Sequence, residues 1–349
     1  MSEKKKLWIY IAIAYGVTAL MSIVMYFGFR KEYDITAFVN TQMMYPACGV
    51  ILGKLITKED KSKLPMGAYI TVLITTAVLI VISILSVLIP LDSIDTGAAP
   101  VAMWNLISQF PVMIGSIIAY IFFWTCGSEK RENAGMSHKN IGTSIAVVIL
   151  FILLFLSRLA IGGGLEYITT GTSTVVPQLK ELFSTATFWL SLTSLPVNFF
   201  FSFIAFFGEE YGWRYYLQPV MQEKLGKRAG VLLLGIVWAI WHICVDFMFY
   251  AKGYGPQAFV TQIVTCVVLA IFFGYSYMKT GNMWVPIIIH YINNNLAALF
   301  LGGQSDSLQN QVIEWSNIPR SLLCSILAAL FIFAPIYNNR KQVIENDEA

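Results

Sequence analysis

Apolar runs close to the length needed to cross a bilayer recur along this chain, separated by short charged segments. A spanning helix needs about 20 mostly apolar residues. The runs cover 7–29, 35–56, 67–91, 103–126, 142–162, 188–208, 230–251, 258–279, 284–302 and 319–338. Of 349 residues, 57% are hydrophobic and only 12% charged. A soluble domain carries about a quarter charged residues, so this excess of apolar surface needs lipid as its solvent. In lipid the backbone is satisfied only by helices or closed barrels, and these runs have helical length. The sequence therefore predicts an all-α, polytopic transmembrane helical bundle of about 10 spans. Thr41, Gln42 and Pro46 make the second run the least apolar, and it is expected to be broken or tilted.

Basic residues set the expected orientation. With the N-terminus in the cytoplasm, the connections 57–66, 127–141, 209–229 and 280–283 are cytoplasmic, as are both tails. The first three contain Lys58, Lys61, Lys63, Lys130, Arg131, Lys139, Lys224, Lys227 and Arg228. The opposite side carries Arg30, Lys31, Lys180, Lys252 and Arg320, and the loop 90–101 has two Asp and no basic residue. N- and C-termini are thus expected to be cytoplasmic. Lys4, Lys5 and Lys6 precede an apolar run too long for a cleaved signal, so the first span is expected to be retained. The formal charge of +3 gives no reason to expect nucleic acid. Cys48, Cys126, Cys244, Cys266 and Cys324 form no C-x-x-C pair and read as small apolar fillers, with no disulfide framework or cysteine-ligated metal expected. The Gly- and Thr-rich stretch 163–187 reads as a loop with a short interfacial helix. It divides the chain into an N-terminal five-span region, 1–163, of unknown role, a C-terminal helical bundle, 164–338, and a tail, 339–349.

Ionisable residues inside apolar spans are costly and mark candidate sites. Only three histidines occur. His138 lies in a charged loop and is expected to be solvated, whereas His242 and His290 lie within the seventh and ninth runs. Glu209 and Glu210 follow the apolar sixth run directly, and Arg214 is four residues beyond Glu210. On a continued helix Glu210 and Arg214 share a face while the two carboxylates diverge by about 100°. His290 and Asn294 are also four apart, so an amide donor stands beside an imidazole, with Asn293 the alternative one register away. Trp238, His242 and Asp246 repeat the spacing; the indole can wall a dry site, and Asp246 could orient the His242 ring.

These elements together resemble the CPBP intramembrane proteases (CAAX proteases and bacteriocin-processing enzymes, also called the Abi family). That family's E-E-x-x-x-R motif is matched by Glu209, Glu210 and Arg214. Its F-x-x-x-H motif is matched by Trp238 and His242, with tryptophan in place of phenylalanine. Its H-x-x-x-N motif is matched by His290 and Asn294. The resemblance covers about residues 165–302 and implies an intramembrane endopeptidase. Glu209 would be general base on a water, His242 would position that water, His290 and Asn294 would stabilise the oxyanion, and Glu210 and Arg214 would hold the geometry.

Glu209, His242 and His290 would also serve as a zinc set, although no H-E-x-x-H motif is present; catalysis without a cofactor is favoured, with zinc the alternative. The implied partners are the lipid bilayer and a membrane-associated peptide or prenylated protein substrate. The implied location is a multi-pass position in a cell membrane, with a bacterial plasma membrane favoured. The alternatives are a non-catalytic membrane scaffold or bacteriocin self-immunity protein, and a secondary transporter, against which stands the lack of an inverted repeat or paired broken helices.

Overall fold

The computed structural model of the protein describes residues 2–95, 100–300 and 309–338. The expected tail 339–349, the last residues of the ninth run and part of the 90–101 loop lie outside the described residues. Among the described residues, seven helices are long and apolar enough to cross a membrane. They are α1 (Glu3–Arg30), α4 (Met66–Leu88), α5 (Met103–Thr125), α6 (Ile141–Thr170), α8 (Ala186–Leu225), α9 (Lys227–Tyr250) and α10 (Gly255–Thr280). Three further expected spans take other forms. The second is divided into α2 (Thr36–Gln42) and α3 (Tyr45–Ile56). The ninth is α11 (Trp284–Phe300), 17 residues long. The tenth is α12 (Asn317–Cys324) followed by short turns over Ile326–Ala329, Leu330–Phe333 and Pro335–Tyr337. A short helix, α7 (Val175–Ser184), lies in the expected 163–187 connection, but α6 runs on through Gly162–Gly164 to Thr170. The extended backbone is minor: Ile94 pairs with Val101 and Asp95 with Pro100.

The break in the second run has a local cause. Pro46 has no N–H to continue the helix and its ring opposes the carbonyl four residues back, so it is tolerated only in a first turn, where it sits. The polar residues at the break bond across the bundle. Thr41 Oγ1 donates to Ala37 O at 2.6 Å and meets Ser83 Oγ at 2.8 Å, and Gln42 Nε2 donates to Trp241 O at 2.9 Å.

One apolar core is continuous from Tyr10 on α1 to Ala328 near the end of the chain. The N-terminal helices therefore pack directly on those that carry the candidate site. Tyr15 OH donates to Val237 O at 2.8 Å, and Trp241 Nε1 donates to Ala14 O and Thr18 Oγ1, both at 2.9 Å. Ala12–Val17 forms a π-helical segment, and such wide turns release backbone carbonyls to outside donors.

Two surface groups depart from simple solvation. The His138 ring lies tilted against Trp124 with ring centroids 4.4 Å apart; burial, with the nearby Arg131 charge, holds it below the ordinary imidazole range. Lys6 meets Glu59 at 2.6 Å and Lys54 meets Glu59 at 3.2 Å, which ties α1 to α3. Burial raises the Glu59 carboxyl, but the hydrogen bonds and charges of Lys6 and Lys54 outweigh it and hold the group below its ordinary value. A depressed carboxyl contributes stability above its unfolded-state pKa, and that contribution disappears as pH falls through the folded-state value. Glu59→Gln is therefore expected to cost about 0.5 kcal/mol at pH 7 and nothing once the carboxyl is protonated, read by thermal melts of detergent-purified protein across the acid range.

Candidate active site

The site is built where α8 crosses the break between α2 and α3. The sixth run was expected to end at about residue 208, with 209–229 as a cytoplasmic connection. Instead the helix continues without interruption, with Tyr211–Leu217 in π-helical form, and ends at Leu225. The charges near 209 are thus inside the bundle rather than beyond it. Glu209 is 3% exposed and Glu210 and Arg214 are 0% exposed. Helix continuation is favourable because these charges find partners in the interior, which a loop at the surface would not require.

Gly208 and Gly212 permit the close crossing. A methyl group on Gly208 would strike the backbone oxygen of Met43, and one on Gly212 would strike the Pro46 ring, with Pro46 Cα and carbonyl carbon 2.9 Å away. Small residues four apart let helices in membranes approach backbone to backbone.

The two glutamates diverge as the helical spacing predicts. Glu210 is doubly held: its Oε2 lies 3.0 Å from Arg214 Nε, and its Oε1 accepts from His290 Nδ1 at 2.9 Å. A carboxylate paired with a guanidinium can only accept, so Nδ1 of His290 carries the hydrogen and Nε2 faces away. The Arg214 guanidinium lies over the Trp238 ring at 4.6 Å and near the Phe273 ring at 5.3 Å. Glu209 points elsewhere. Its Oε2 accepts from Trp238 Nε1 at 2.9 Å, and it lies within electrostatic reach of His290.

His242 comes from α9 and is 8% exposed. Its Nδ1 pairs with Trp238 O at 2.9 Å, which leaves Nε2 as the unbonded ring nitrogen. Asp246 does not orient this ring as expected. Side chains on a helix lean toward its N-terminus, so His242 tilts back onto the carbonyl of Trp238 and away from Asp246. Asp246 itself is buried at the start of the π-helical segment Asp246–Tyr250. His290 is flanked by Phe206, Trp238 and Phe273, with ring centroids at 5.3, 5.7 and 5.7 Å. Asn294 follows one turn later, and its Oδ1 accepts from Asn293 Nδ2 at 3.0 Å. That bond turns the Asn294 amide so that its own NH2 is the group left to donate.

The segments that carry Glu209, Glu210, Arg214, His242 and His290 thus meet around one aromatic-lined point where these five side chains are buried, and Asn294 follows His290 by one turn, half-buried. A carboxylate, two imidazoles with outward nitrogens and an amide donor are what amide hydrolysis requires. Among the described residues no group of three His, Cys, Asp or Glu side chains is placed to hold a metal ion. A pocket of about 320 Å³ beside the lower part of α8, lined by Lys6, Lys54, Glu59, Tyr215 and Tyr216, contains none of these six residues.

Sequence reasoning missed Gly208 and Gly212, and it took Gln42 only as a mark of the break in the second run. The glycine pair was visible as a four-residue spacing that straddles the two glutamates, and Gln42 as an amide inside an apolar run.

These features define a multi-pass helical membrane protein with a buried glutamate–histidine site. Residues 191–296 match the family model of Rce1-like type II CAAX prenyl endopeptidases, so this part of the chain is similar to the CPBP family. The matched segment contains all six candidate residues, and the match supports an intramembrane protease in general. No curated protein and no solved structure matches the chain.

Proposed function

We propose that this protein is an intramembrane endopeptidase that hydrolyses a peptide bond of a membrane-associated or prenylated substrate through water activated by Glu209. The observation that carries the reading is the division of labour between adjacent carboxylates. Glu210 is committed to Arg214 and His290, while Glu209 is held by uncharged groups, its Oε2 by Trp238 Nε1 with the Trp213 indole also in reach. Glu209 takes a proton from water and the hydroxide adds to the scissile carbonyl carbon. The oxyanion forms against Asn294 Nδ2 and beside the His290 ring, which its Nδ1–H bond to Glu210 orients. Collapse of the intermediate breaks the C–N bond, and the proton held by Glu209 passes to the leaving amine. His242 Nε2 accepts from the water and fixes its approach.

The donor arrangement favours a reaction without zinc. The basic residues of the connections favour cytoplasmic termini, and the cell membrane of a bacterium is the proposed location. The N-terminal helices serve in this reading as a brace that fixes α8 and α9. The test is cleavage of a panel of prenylated and membrane-tethered peptides by wild type and Glu209→Ala, with and without a zinc chelator. Cleavage that survives chelation and is lost in Glu209→Ala supports the reading. Cleavage lost on chelation, or retained in Glu209→Ala, overturns the glutamate mechanism. An inactive wild type across the panel would favour the scaffold or immunity alternative.

The two asparagines separate in the same assay. Asn294→Ala is expected to lower kcat by about 100-fold, the usual cost of one oxyanion donor. Asn293→Ala removes only the group that orients Asn294 and is expected to cost about 10-fold or less, measured as kcat on a single substrate.

A further inference from the structure

We infer that Trp238 is a positioning residue that holds the Glu209 carboxylate through its indole N–H, a role the phenylalanine of the family motif cannot fill. The inference rests on the proposed role of Glu209 and adds a residue that the motif treats only as an aromatic wall.

Trp238 has the geometry of a relay. It is 2% exposed, and its Nε1 donates to Glu209 Oε2 at 2.9 Å. Its ring carries the Arg214 guanidinium at 4.6 Å, and Arg214 is itself paired with Glu210. A cation over an indole face draws electron density from the ring and makes its N–H a stronger donor. The contacts therefore close a circuit, Glu210–Arg214–Trp238–Glu209, in which the two adjacent carboxylates are joined through groups on α8 and α9 as well as through the backbone. The backbone oxygen of the same residue accepts from His242 Nδ1 at 2.9 Å. One residue on α9 thus fixes both the carboxylate and the imidazole that flank the water.

Holding Oε2 leaves Oε1 as the proton acceptor and fixes the plane of the carboxylate. The Trp213 indole is the other side-chain donor near the Glu209 carboxyl, so Trp238 at Oε2 is the better aligned of two indole partners. A charge-assisted hydrogen bond to a carboxylate is about twice as strong as a neutral one, so its loss would let the Glu209 side chain rotate among staggered positions.

The test uses the full chain in detergent and two replacements, Trp238→Phe and benzothienylalanine at position 238, which keeps the ring's shape and replaces its N–H by sulfur. The infrared carboxyl band of Glu209, isolated as the difference between wild type and Glu209→Gln, is compared across them. The band is expected to shift in both variants, and on a cleaved substrate kcat is expected to fall about 10-fold with KM unchanged. A band that does not move in the isosteric variant overturns the hydrogen bond. A shifted band with wild-type kcat overturns the positioning role. Failure of the protease reading would appear separately, as wild type without cleavage, while the infrared comparison still decides the bond.

Discussion

Glu209→Gln is expected to fold as wild type and to lose about 1,000-fold in kcat, whereas Glu210→Gln, one residue away, is expected to be unstable. The two side chains differ in what surrounds them. Glu209 is held by uncharged donors, Trp238 Nε1 foremost, and a glutamine oxygen can still accept that bond, in its weaker neutral form. Only the capacity to take a proton from water is lost, and general-base assistance contributes about a hundred- to ten-thousandfold. Glu210 is the counter-ion of Arg214, which is 0% exposed, and the partner of His290. Glutamine there leaves a guanidinium buried without its charge partner. Removing one member of a buried ion pair costs about 3–5 kcal/mol, because the remaining charge stays desolvated. Melting temperature and kcat measured on both variants distinguish the roles: a stable, inactive Glu209→Gln beside an unstable Glu210→Gln is the expected pair. A stable and inactive Glu210→Gln would instead place the base at position 210.

Much of this site was legible in the sequence because its logic is local. Four-residue spacing puts Glu210 beside Arg214, Trp238 above His242 and His290 near Asn294 on any helical backbone, and each pair is found close or on one face. Apolar runs likewise located the seven long helices, since hydrocarbon thickness fixes their length. What was not legible depends on contacts between helices. Nothing in the pattern around Glu210 says that His290, eighty residues away, takes its second oxygen. How far α8 continues past residue 208 was hidden for the same reason: the end of a charged helical extension depends on partners that the local pattern does not name. The disposition of the tenth run was obscured by its own composition. It is apolar enough to span, yet Ser325 and Pro335 divide it, and Arg320 is drawn to the carbonyl of Gly162 at 3.1 Å.

Gly212→Ala is expected to be the most damaging change of a residue that carries no chemistry. The added methyl would enter the Pro46 ring, with two backbone atoms of Pro46 at 2.9 Å, and neither side can yield easily. Proline is rigid, and the opposing segment is fixed at its start by Thr41 bonded to Ser83 and Gln42 bonded to Trp241. Relief must come from α8 moving away from α3. Overpacking of this kind costs about 1–3 kcal/mol. The functional cost is expected to be larger in proportion, because Gly212 lies between Glu210 and Arg214 in sequence and any shift of α8 moves Glu209 relative to His242 and His290. A displacement of about 1 Å at reacting groups costs about 100-fold in rate, so kcat should fall by roughly that factor at temperatures where the variant is still folded. Gly142→Ala is the control: a methyl there meets nothing within 4 Å, and alanine is the better helix former. It should match or exceed wild-type stability and leave kcat unchanged. If Gly212→Ala also kept wild-type kcat, the crossing of α8 over the α2–α3 break would not be what holds the two adjacent glutamates in register with the histidines.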